Sequence, residues 1–400
     1  MNILMLTSTL PRFAGDMQAN FVGEQAEAWL AARPNAAITI LAPHDAGIAR
    51  KEELGRLTIE RFRYALPEGL QKLAYPAILP NILRNPLLAL LVPFFIIFQA
   101  FAAKKLLRQN DYDLIYAHWV MPQGLVAAWL SRKSGVPYIL QTHSSDLTVF
   151  DKFGSLGRKK LSGLLRGALR FFAVNSDQLG IAKSFLEEAE HAAFESKSCV
   201  LPMGVAQLQS ADEQGKGAQI GTIGRLSRKK GLDLLIAAAE QLASEGVLPK
   251  IAIAGDGEDA ADLRALVGNS DVNFPGFLSG DNKEAFLASC ERFAFPARAI
   301  DGDVEGMPVA LLEALMRGQP VLASRDTNIE LLPEWPDIQN DVVFVANPAD
   351  IDGLAEGLRQ LLERAPGSAK GAARVLERYL WENLIEEYLK PIEQSLSSRV

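Results

Sequence analysis

The sequence predicts an α/β protein with two doubly wound parallel sheets. Its 400 residues are enough for two domains with separate cores, and 48% of them are hydrophobic while 22% are charged, as in globular proteins. Short apolar runs alternate with amphipathic stretches, a pattern typical of parallel strands joined by crossover helices. Predicted strands lie at 2–7, 37–42, 113–117, 137–142, 171–175, 219–223, 250–254, 292–296, 320–323 and 342–346, and predicted first-half helices at 20–33, 122–133 and 178–190.

A polar segment that contains glycine divides the two halves. Residues 206–217, AQLQSADEQGKG, have the composition of a linker. We therefore expect an N-terminal domain at 1–205 and a C-terminal domain at 218–380. The tail at 381–400 is predicted to be a helix that can cross back to the N-terminal domain.

Charge is divided unevenly between the halves. Residues 1–200 carry 22 basic and 17 acidic residues (+5), whereas residues 201–400 carry 19 and 31 (−12), which gives the net charge of −7. The basic half predicts an anionic partner, such as phospholipid headgroups or a phosphate-bearing acceptor. Nucleic acid is not expected, because no basic patch interleaved with aromatic residues is present.

The cysteines and the N-terminus indicate a cytoplasmic protein. Cys199 and Cys290 lie in different predicted domains without metal-type spacing, so neither a disulfide framework nor a zinc site is expected. The four histidines also lack such spacing. The start, MNILMLTSTLPR, has no basic n-region and is interpreted as a strand, not as a signal peptide.

The segment 86–103, PLLALLVPFFIIFQAFAA, is uncharged over eighteen residues and approaches the length of a membrane span. Pro93 and Gln99 interrupt it, and a sheet strand follows directly. We interpret it as a core helix with some membrane-facing surface. Together with the basic residues of the N-terminal half it predicts peripheral contact with the inner face of the plasma membrane.

The stretch 301–315, DGDVEGMPVALLEAL, contains two glutamates eight positions apart, Glu305 and Glu313. The run VALLEAL predicts a buried helix, and Pro308 suits its first turn. Glu305 then lies just outside the helix and Glu313 inside it. The amides of Gly306 and Met307 can face an anion at the helix N-terminus. Taken alone, the pattern also fits an ordinary acidic helix start.

A second motif lies upstream. The segment 219–232, QIGTIGRLSRKKGL, runs from a strand through Gly224 into a helix. Arg225 and Lys230 flank its turn, where two cations could converge on a diphosphate with charge-assisted hydrogen bonds of roughly 1.5–3 kcal/mol each. A solvated basic loop is the alternative.

The ordered set GRLSRKKG, GDGE, FPGF and EGMP–LLEA resembles the retaining glycosyltransferase family 4 over essentially the whole chain, most closely at 219–330. The resemblance implies the GT-B fold, with two facing Rossmann-like domains. It also implies transfer of a sugar from a UDP- or GDP-linked donor to a hydroxyl of a glycan or lipid-linked acceptor, with retention of configuration. No cofactor or metal ion is expected, because two cations and a helix N-terminus can neutralise the diphosphate. Asp301 and Asp303 are interpreted as a solvated loop.

The resemblance also implies roles for single residues. Arg225 and Lys230 would bind the diphosphate, Glu313 the ribose hydroxyls and Glu305 the transferred sugar. Phe274, Gly276 and Phe277 would lie beside the base.

Two further positions belong to the first domain. His143 in LQTHSSDL follows a strand where relatives place a histidine near the sugar, and Asp146 three residues on favours this role over structural packing. His118 also follows a strand, where a packed role is at least as plausible. Gly15 stands where relatives often have a pair of glycines close to the donor phosphate, although only one is present here.

Three other classes of protein compete with this interpretation. A dehydrogenase is suggested by IAGDGEDA, with Gly255, Gly257 and Ala260, but Gly276 and Phe277 stand where that fingerprint requires an acidic residue. An epimerase shares the two-domain architecture and is the alternative. A non-catalytic membrane-bound module gives no reason for the two motifs to occur together.

Overall fold

The computed structural model describes residues 1–13, 15–16, 18, 20–143, 146–206, 217–300 and 305–399. Nearly all of the predicted linker therefore lies outside the described residues. The chain forms two compact units, Met1–Pro202 with Leu384–Val400, and Met203–Asn383. Each unit contains its own sheet, which confirms the predicted α/β class with two parallel-sheet domains.

The first unit is built on an eight-stranded sheet of order β3-β4-β2-β1-β5-β6-β7-β8, in which β3 alone is antiparallel to its neighbour. Its strands are β1 (Asn2–Leu6), β2 (Ala37–Pro43), β3 (Lys51–Leu54), β4 (Leu57–Phe62), β5 (Leu114–His118), β6 (Tyr138–Gln141), β7 (Arg170–Ala173) and β8 (Ser198–Val200). Its helices are α1 (Phe21–Ala32), α2 (Ile78–Arg84), α3 (Val92–Gln109), α4 (Leu125–Ser134), α5 (Gly154–Gly167), α6 (Ser176–Ser184) and α7 (His191–Glu195).

The second unit is built on a six-stranded parallel sheet of order β11-β10-β9-β12-β13-β14. Its strands are β9 (Ile220–Ile223), β10 (Ile251–Ala254), β11 (Val272–Gly276), β12 (Phe293–Phe295), β13 (Val321–Ser324) and β14 (Val342–Val345). Its helices are α8 (Leu232–Ser244), α9 (Ala260–Ala265), α10 (Gly280–Ser289), α11 (Val309–Met316), α12 (Trp335–Ile338), α13 (Ile351–Glu363) and α14 (Lys370–Leu376).

The ten strands predicted from apolar runs are present with shifts of one or two residues at their ends, and VNFPGF, also predicted as a strand, forms β11. The sequence did not indicate the β3–β4 hairpin or β8. The hairpin is polar along β3, where the side chains of KEEL are mostly exposed, so apolar periodicity does not mark it. The helix predicted at 178–190 was wrong at its end. α6 stops at Ser184, and Glu187 starts a separate turn through a capping box with Glu190.

The segment 86–103 begins as a 3-10 turn at Pro86–Leu91 and continues as α3. Pro93 lies in the first turn of α3, where a missing N–H is tolerated. Only one side of α3 is buried, at Phe95, Gln99, Ala103 and Leu106. The prediction of a core helix therefore holds for that side alone. By length and composition, Pro86–Gln109 is the one helix within the described ranges that could cross a membrane, and 17% of its apolar window is buried.

The last helix, α15 (Trp381–Ser397), packs against the first sheet from Leu384 onward. Arg33 at the end of α1 donates to Glu386 at 2.6 Å and to Glu393 at 2.6 Å. Tyr388 is fully buried. Its hydroxyl accepts from Gln141 Nε2 at 2.9 Å and lies 3.0 Å from the carbonyl oxygen of Leu201. These bonds fix α15 beside β6 and the end of β8.

We expect Tyr388→Phe to lower the free energy of unfolding by about 1–3 kcal/mol, because it removes a buried hydroxyl that bonds two elements. Urea unfolding followed by circular dichroism measures this change. Tyr112→Phe is the matched control, since Tyr112 is less buried and its hydroxyl bonds one side chain, Thr39 Oγ1. An equal loss in both variants would contradict the role given to Tyr388.

Candidate active site

The loop after β9 carries the predicted cations. It forms a 3-10 turn at Arg228–Lys230 and enters α8 through Gly231, whose φ is +65°. A Cβ at Gly231 would lie 1.9 Å from the carbonyl oxygen of Pro296, so only glycine fits this close approach. Arg298 donates its amide to the carbonyl oxygen of Lys229 at 2.8 Å. The loops after β9 and β12 are thus held together through their backbones.

The second motif lies at the N-terminus of α11. Pro308 is the N-cap residue, with φ −67° and ψ 112°, so it precedes the first turn rather than lying in it as predicted. Glu305 is outside the helix and Glu313 inside it. Asn328, which has a left-handed backbone, donates its side-chain amide to the carbonyl oxygen of Glu305 and positions that residue.

The two motifs meet at Glu305. Its carboxylate lies 3.1 Å from Lys230 Nζ and 3.7 Å from Lys229 Nζ, and its side chain is 11% exposed. Burial raises the pKa of Glu305, but the positive charges of Lys230 and Lys229 outweigh this effect and hold the pKa below its ordinary value. Glu305 is therefore ionised at neutral pH.

Arg225 points toward the loop after β10. Its Nε donates to Glu258 at 2.8 Å. The two loops pack backbone to backbone, since a Cβ at Gly255 would lie 1.8 Å from the carbonyl oxygen of Gly224 and one at Gly257 would lie 2.4 Å from that of Leu226. The glycines of the dehydrogenase-like GDGEDA pattern therefore serve this packing, which removes the observation that suggested a dinucleotide.

Glu313 is 4% exposed and is paired with a lysine that the sequence did not indicate. Lys283 of α10 places its Nζ 2.6 Å from Glu313 Oε1. The pair joins α10 to α11 and balances a charge that would otherwise be buried alone.

Three residues of the predicted donor site each have a buried polar atom without a hydrogen-bonding partner among the described residues: Arg225 Nη2, Glu305 Oε1 and Glu313 Oε2. Buried polar groups in native proteins are nearly always paired, so such atoms need an explanation. One of them is a donor and two are acceptors. Phosphate oxygens can accept from a donor of this kind, and hydroxyl groups can donate to such acceptors.

The other predicted donor-site residues of the second unit lie just before α11 and at the end of β11. Gly306 and Pro308 are buried and Met307 is half-buried at the start of α11. β11 ends at Gly276, whose backbone carbonyl oxygen accepts from the amide of Gly255. Phe277 follows, with 37% of its surface exposed. Asp301 and Asp303 lie outside the described residues. Elsewhere in the described chain, no cluster of three or more His, Cys, Asp or Glu side chains is arranged to hold a metal ion.

In the first unit, the neighbouring strands β5 and β6 bring two histidines together. His118 Nδ1 lies 3.2 Å from His143 Nε2. Burial lowers the pKa of His118 to about 3, and burial together with His118 lowers the pKa of His143 below its ordinary value. Both rings are therefore neutral at pH 7. Phe21 and Trp119 pack on the His143 ring at 4.8 and 4.4 Å between centroids.

Asp146 binds the backbone at the ends of β5 and β6. One carboxylate oxygen accepts from the amide of His143 at 3.2 Å and the other from the amide of Val120 at 2.7 Å. It fixes the backbone of the two strand ends, and through it the position of the His143 ring.

Gly15 lies in a turn with φ +81°. The guanidinium of Arg12 bonds Asp16 at 2.8 Å and Asp45, in the loop after β2, at 2.8 Å. The positive φ at position 15 suits a glycine. The sequence did not indicate four contacts of these sites, because each joins segments that are distant in the chain. They are the contacts of Lys283 with Glu313, Glu258 with Arg225, Asn328 with Glu305 and His118 with His143.

Family models match both units. Residues 217–364 match the model described as glycosyl transferases group 1, and residues 92–175 match one described as glycosyl transferase 4-like. Together the two matches cover more than half of the chain.

Similar proteins and structures agree with these matches. A Bacillus subtilis glycosyltransferase assigned to teichuronic acid biosynthesis is 26% identical over 303 residues, which cover 71% of this chain and 66% of that protein. A Corynebacterium glutamicum protein named GDP-mannose-dependent monoacylated alpha-(1-6)-phosphatidylinositol monomannoside mannosyltransferase is 28% identical over 74% of this chain and 80% of its own. Sucrose-phosphate synthase from Thermosynechococcus elongatus has the same GT-B fold, with a TM-score of 0.74 at 16% identity over 99% of both chains. The chain thus spans just under two thirds of the Bacillus relative.

Lys283→Met should lower the free energy of unfolding by about 1–3 kcal/mol, a range reduced because the lysine is a third exposed. In this variant the carboxylate of Glu313 stays buried but has lost its cation. Urea unfolding provides the measurement. Adding Glu313→Gln to Lys283→Met removes the unpaired charge and should restore most of the loss. No loss in the single variant would contradict the pairing.

The buried histidines should make stability depend on pH. Because His118 stays neutral in the folded state down to about pH 3 and the unfolded chain protonates below about 6.5, the unfolded state binds more protons and stability falls with decreasing pH. This residue should contribute about 2 kcal/mol of the loss between pH 7 and pH 5. His118→Phe should remove that part of the difference in urea unfolding, and an unchanged difference would contradict the assignment.

Proposed function

Because the chain belongs to the group 1 glycosyltransferases, we propose that it is a retaining enzyme that transfers a sugar from a UDP- or GDP-linked donor. The acceptor in this proposal is a hydroxyl of a glycan or lipid-linked molecule in polysaccharide or glycoconjugate synthesis. The observation that carries the proposal is the set of three unsatisfied buried atoms on Arg225, Glu305 and Glu313.

The donor is proposed to complete the hydrogen bonding of these groups. Arg225 Nη2 and Lys230 Nζ would bind the diphosphate, and Lys230 keeps its contact with Glu305 because an ammonium group has three donors. Glu313 Oε2 would accept from the ribose hydroxyls while Oε1 stays with Lys283. Glu305 Oε1 would accept from the transferred sugar.

The same groups supply the electrostatics of the reaction. Breaking the bond between sugar and diphosphate concentrates negative charge on the leaving phosphate, next to Arg225 and Lys230. The N-terminus of α11, which begins at Val309, adds the positive end of a helix dipole, and the amides of Gly306 and Met307 in the segment before it are proposed as further donors. This charge supports a mechanism without a metal ion, in which the leaving phosphate helps to take the acceptor proton.

Two groups complete the proposed donor contacts. Phe277 and the backbone at Gly276 would lie beside the base. Like Glu305, neutral His143 of the first unit is proposed as a catalytic residue that bonds the sugar. Asp146 fixes the backbone of His143, and His118 fixes its ring. Gly15 would allow the backbone to approach the donor phosphate.

The relatives support the substrate classes. The name of the Corynebacterium protein gives GDP-mannose as donor and a phosphatidylinositol monomannoside as acceptor, and the Bacillus protein is assigned to teichuronic acid biosynthesis. We therefore propose a cytoplasmic protein that works as a peripheral protein at the membrane. An epimerase is not favoured, because the matched families and both relatives are glycosyltransferases.

Saturating binding of one nucleoside diphosphate is the expected result when the purified chain is titrated calorimetrically with UDP, GDP, ADP and NAD. Binding should be unchanged by EDTA. Arg225→Gln should weaken it by roughly 10- to 150-fold, since about 1.5–3 kcal/mol of charge-assisted bonding is lost. Glu313→Gln should weaken it by roughly tenfold.

Arg228→Gln is the matched control, because Arg228 is exposed in the same turn and should leave binding unchanged. Binding of NAD alone, or full binding by Arg225→Gln and Glu313→Gln, would overturn the donor-site proposal. Loss of binding in EDTA would overturn metal independence.

A further inference from the structure

α3 presents an apolar surface to solvent. We define the apolar face as six large side chains that recur every three or four residues along one side of the segment 87–101, and 44–72% of the surface of each is exposed: Leu87, Leu90, Phe94, Ile97, Phe98 and Phe101. The exposed area amounts to several hundred Å², the size at which an apolar patch on a folded protein marks an interaction surface.

The orientation of α3 is fixed by its other side. Phe95 and Gln99 are fully buried against the sheet, and Gln99 Nε2 donates to the carbonyl oxygen of Thr7 at 3.2 Å. α3 also lies between β4 and β5, which belong to the same sheet. A helix held along one side in this way cannot cross a bilayer without dismantling the unit, but it can lie flat on one.

The segment that carries the apolar face has charged residues of one sign only. Residues 69–110 contain five basic residues and no acidic residue, although the net charge of the chain is −7. Lys105 and Arg108 continue the line of the apolar face and are exposed. The helix therefore presents about four apolar turns that end in a basic turn, the pattern of an interfacial helix on an anionic surface.

α5 repeats this pattern in the same layer. The inner sides of α3, α4 and α5 share one core cluster on one face of the sheet. At the start of α5, Phe153 and Leu156 are 58% and 74% exposed, and Arg158, Lys159 and Lys160 follow. Residues 152–176 contain six basic residues and no acidic residue.

We propose that the apolar face of α3, with Lys105 and Arg108, docks onto an anionic phospholipid bilayer, lies parallel to it and inserts as far as the acyl-chain boundary. α5 adds a second contact. The inference deepens the membrane association proposed above and does not depend on sugar transfer. A second copy of the chain fits the surface less well, because a two-fold contact pairs a patch with itself and would bring these basic residues together without acidic partners.

The test is flotation of the full chain with vesicles of phosphatidylcholine alone and of an equimolar mixture with phosphatidylglycerol. The chain should float with the mixed vesicles and much less with the neutral ones. Lys105→Gln with Arg108→Gln should weaken partition into mixed vesicles roughly 30-fold. Phe94→Ser with Phe101→Ser should weaken it roughly tenfold or more.

Matched controls separate the surface from general changes in hydrophobicity and charge. Leu248→Ser with Leu266→Ser removes two similarly exposed apolar side chains from the second unit, and Lys250→Gln with Lys370→Gln removes two exposed charges there. Both should float like the unchanged chain. Circular dichroism of each variant shows whether it is folded. Nucleotide titration of each variant tests donor binding separately from docking.

Three outcomes would overturn the proposal. The first is no flotation of the unchanged chain with mixed vesicles. The second is flotation that neither pair of substitutions in α3 weakens. The third is a dimer in sedimentation velocity that Phe94→Ser with Phe101→Ser dissociates, because the face would then be an interface between two copies.

Discussion

The ion pair between Glu305 and the lysines of the loop after β9 is the interaction on which the candidate site depends. Taking a carboxylate out of water costs several kcal/mol unless cations and hydrogen bonds compensate it. Lys230 and Lys229 provide this compensation from a segment about 75 positions earlier in the chain, which therefore has to lie beside the N-terminus of α11. Gly231 makes the approach possible, since any Cβ there would collide with the carbonyl oxygen of Pro296. Charge balance and backbone packing thus place the two motifs together before any ligand binds.

This arrangement leaves the site incompletely bonded, and that incompleteness has a physical consequence. Arg225 and Glu313 each use one side-chain atom in an ion pair and leave another buried without a hydrogen bond to the described residues. Glu305 pairs through Oε2 with Lys230, while its buried Oε1 has the longer 3.7 Å contact with Lys229 and no hydrogen bond within the described chain. A protein selected only for stability would pair these atoms or replace them, because each unsatisfied group costs free energy. Their geometry is already fixed by Glu258, Lys230 and Lys283, so a ligand that bonds them does not have to order the side chains first. The stability that is given up in the free protein would be regained as binding free energy.

The sequence was sufficient for the features that local chemistry decides. Apolar periodicity identified ten parallel strands. Through the family resemblance, the residue order in GRLSRKKG and EGMP–LLEA predicted one site for Arg225, Lys230, Glu305 and Glu313, and the structure brings Lys230 and Glu305 of this set into contact. It was insufficient where a contact joins distant segments. Nothing around Lys283 marks it as the partner of Glu313 thirty positions away, and Asn328 holds Glu305 through a backbone carbonyl that carries no sequence information. Asp146 shows the same limit, because its position three residues after His143 does not indicate that its carboxylate accepts from two backbone amides.

The segment 86–109 shows why composition and structure answer different questions. Mean hydropathy treats Phe94 and Phe95 alike, yet one is 52% exposed and the other fully buried, and the polar Gln99 is buried while Phe98 beside it is exposed. The direction in which each side chain points is decided by the sheet on which α3 packs, so a hydropathy window cannot distinguish a core helix from an interfacial one. Exposing six large apolar side chains on the same side is unfavourable in water and favours association with an apolar phase. Residues 69–110 contain no acidic residue, so the basic turn at the end of the helix is attracted to an anionic surface. This attraction favours an anionic bilayer over a neutral apolar surface.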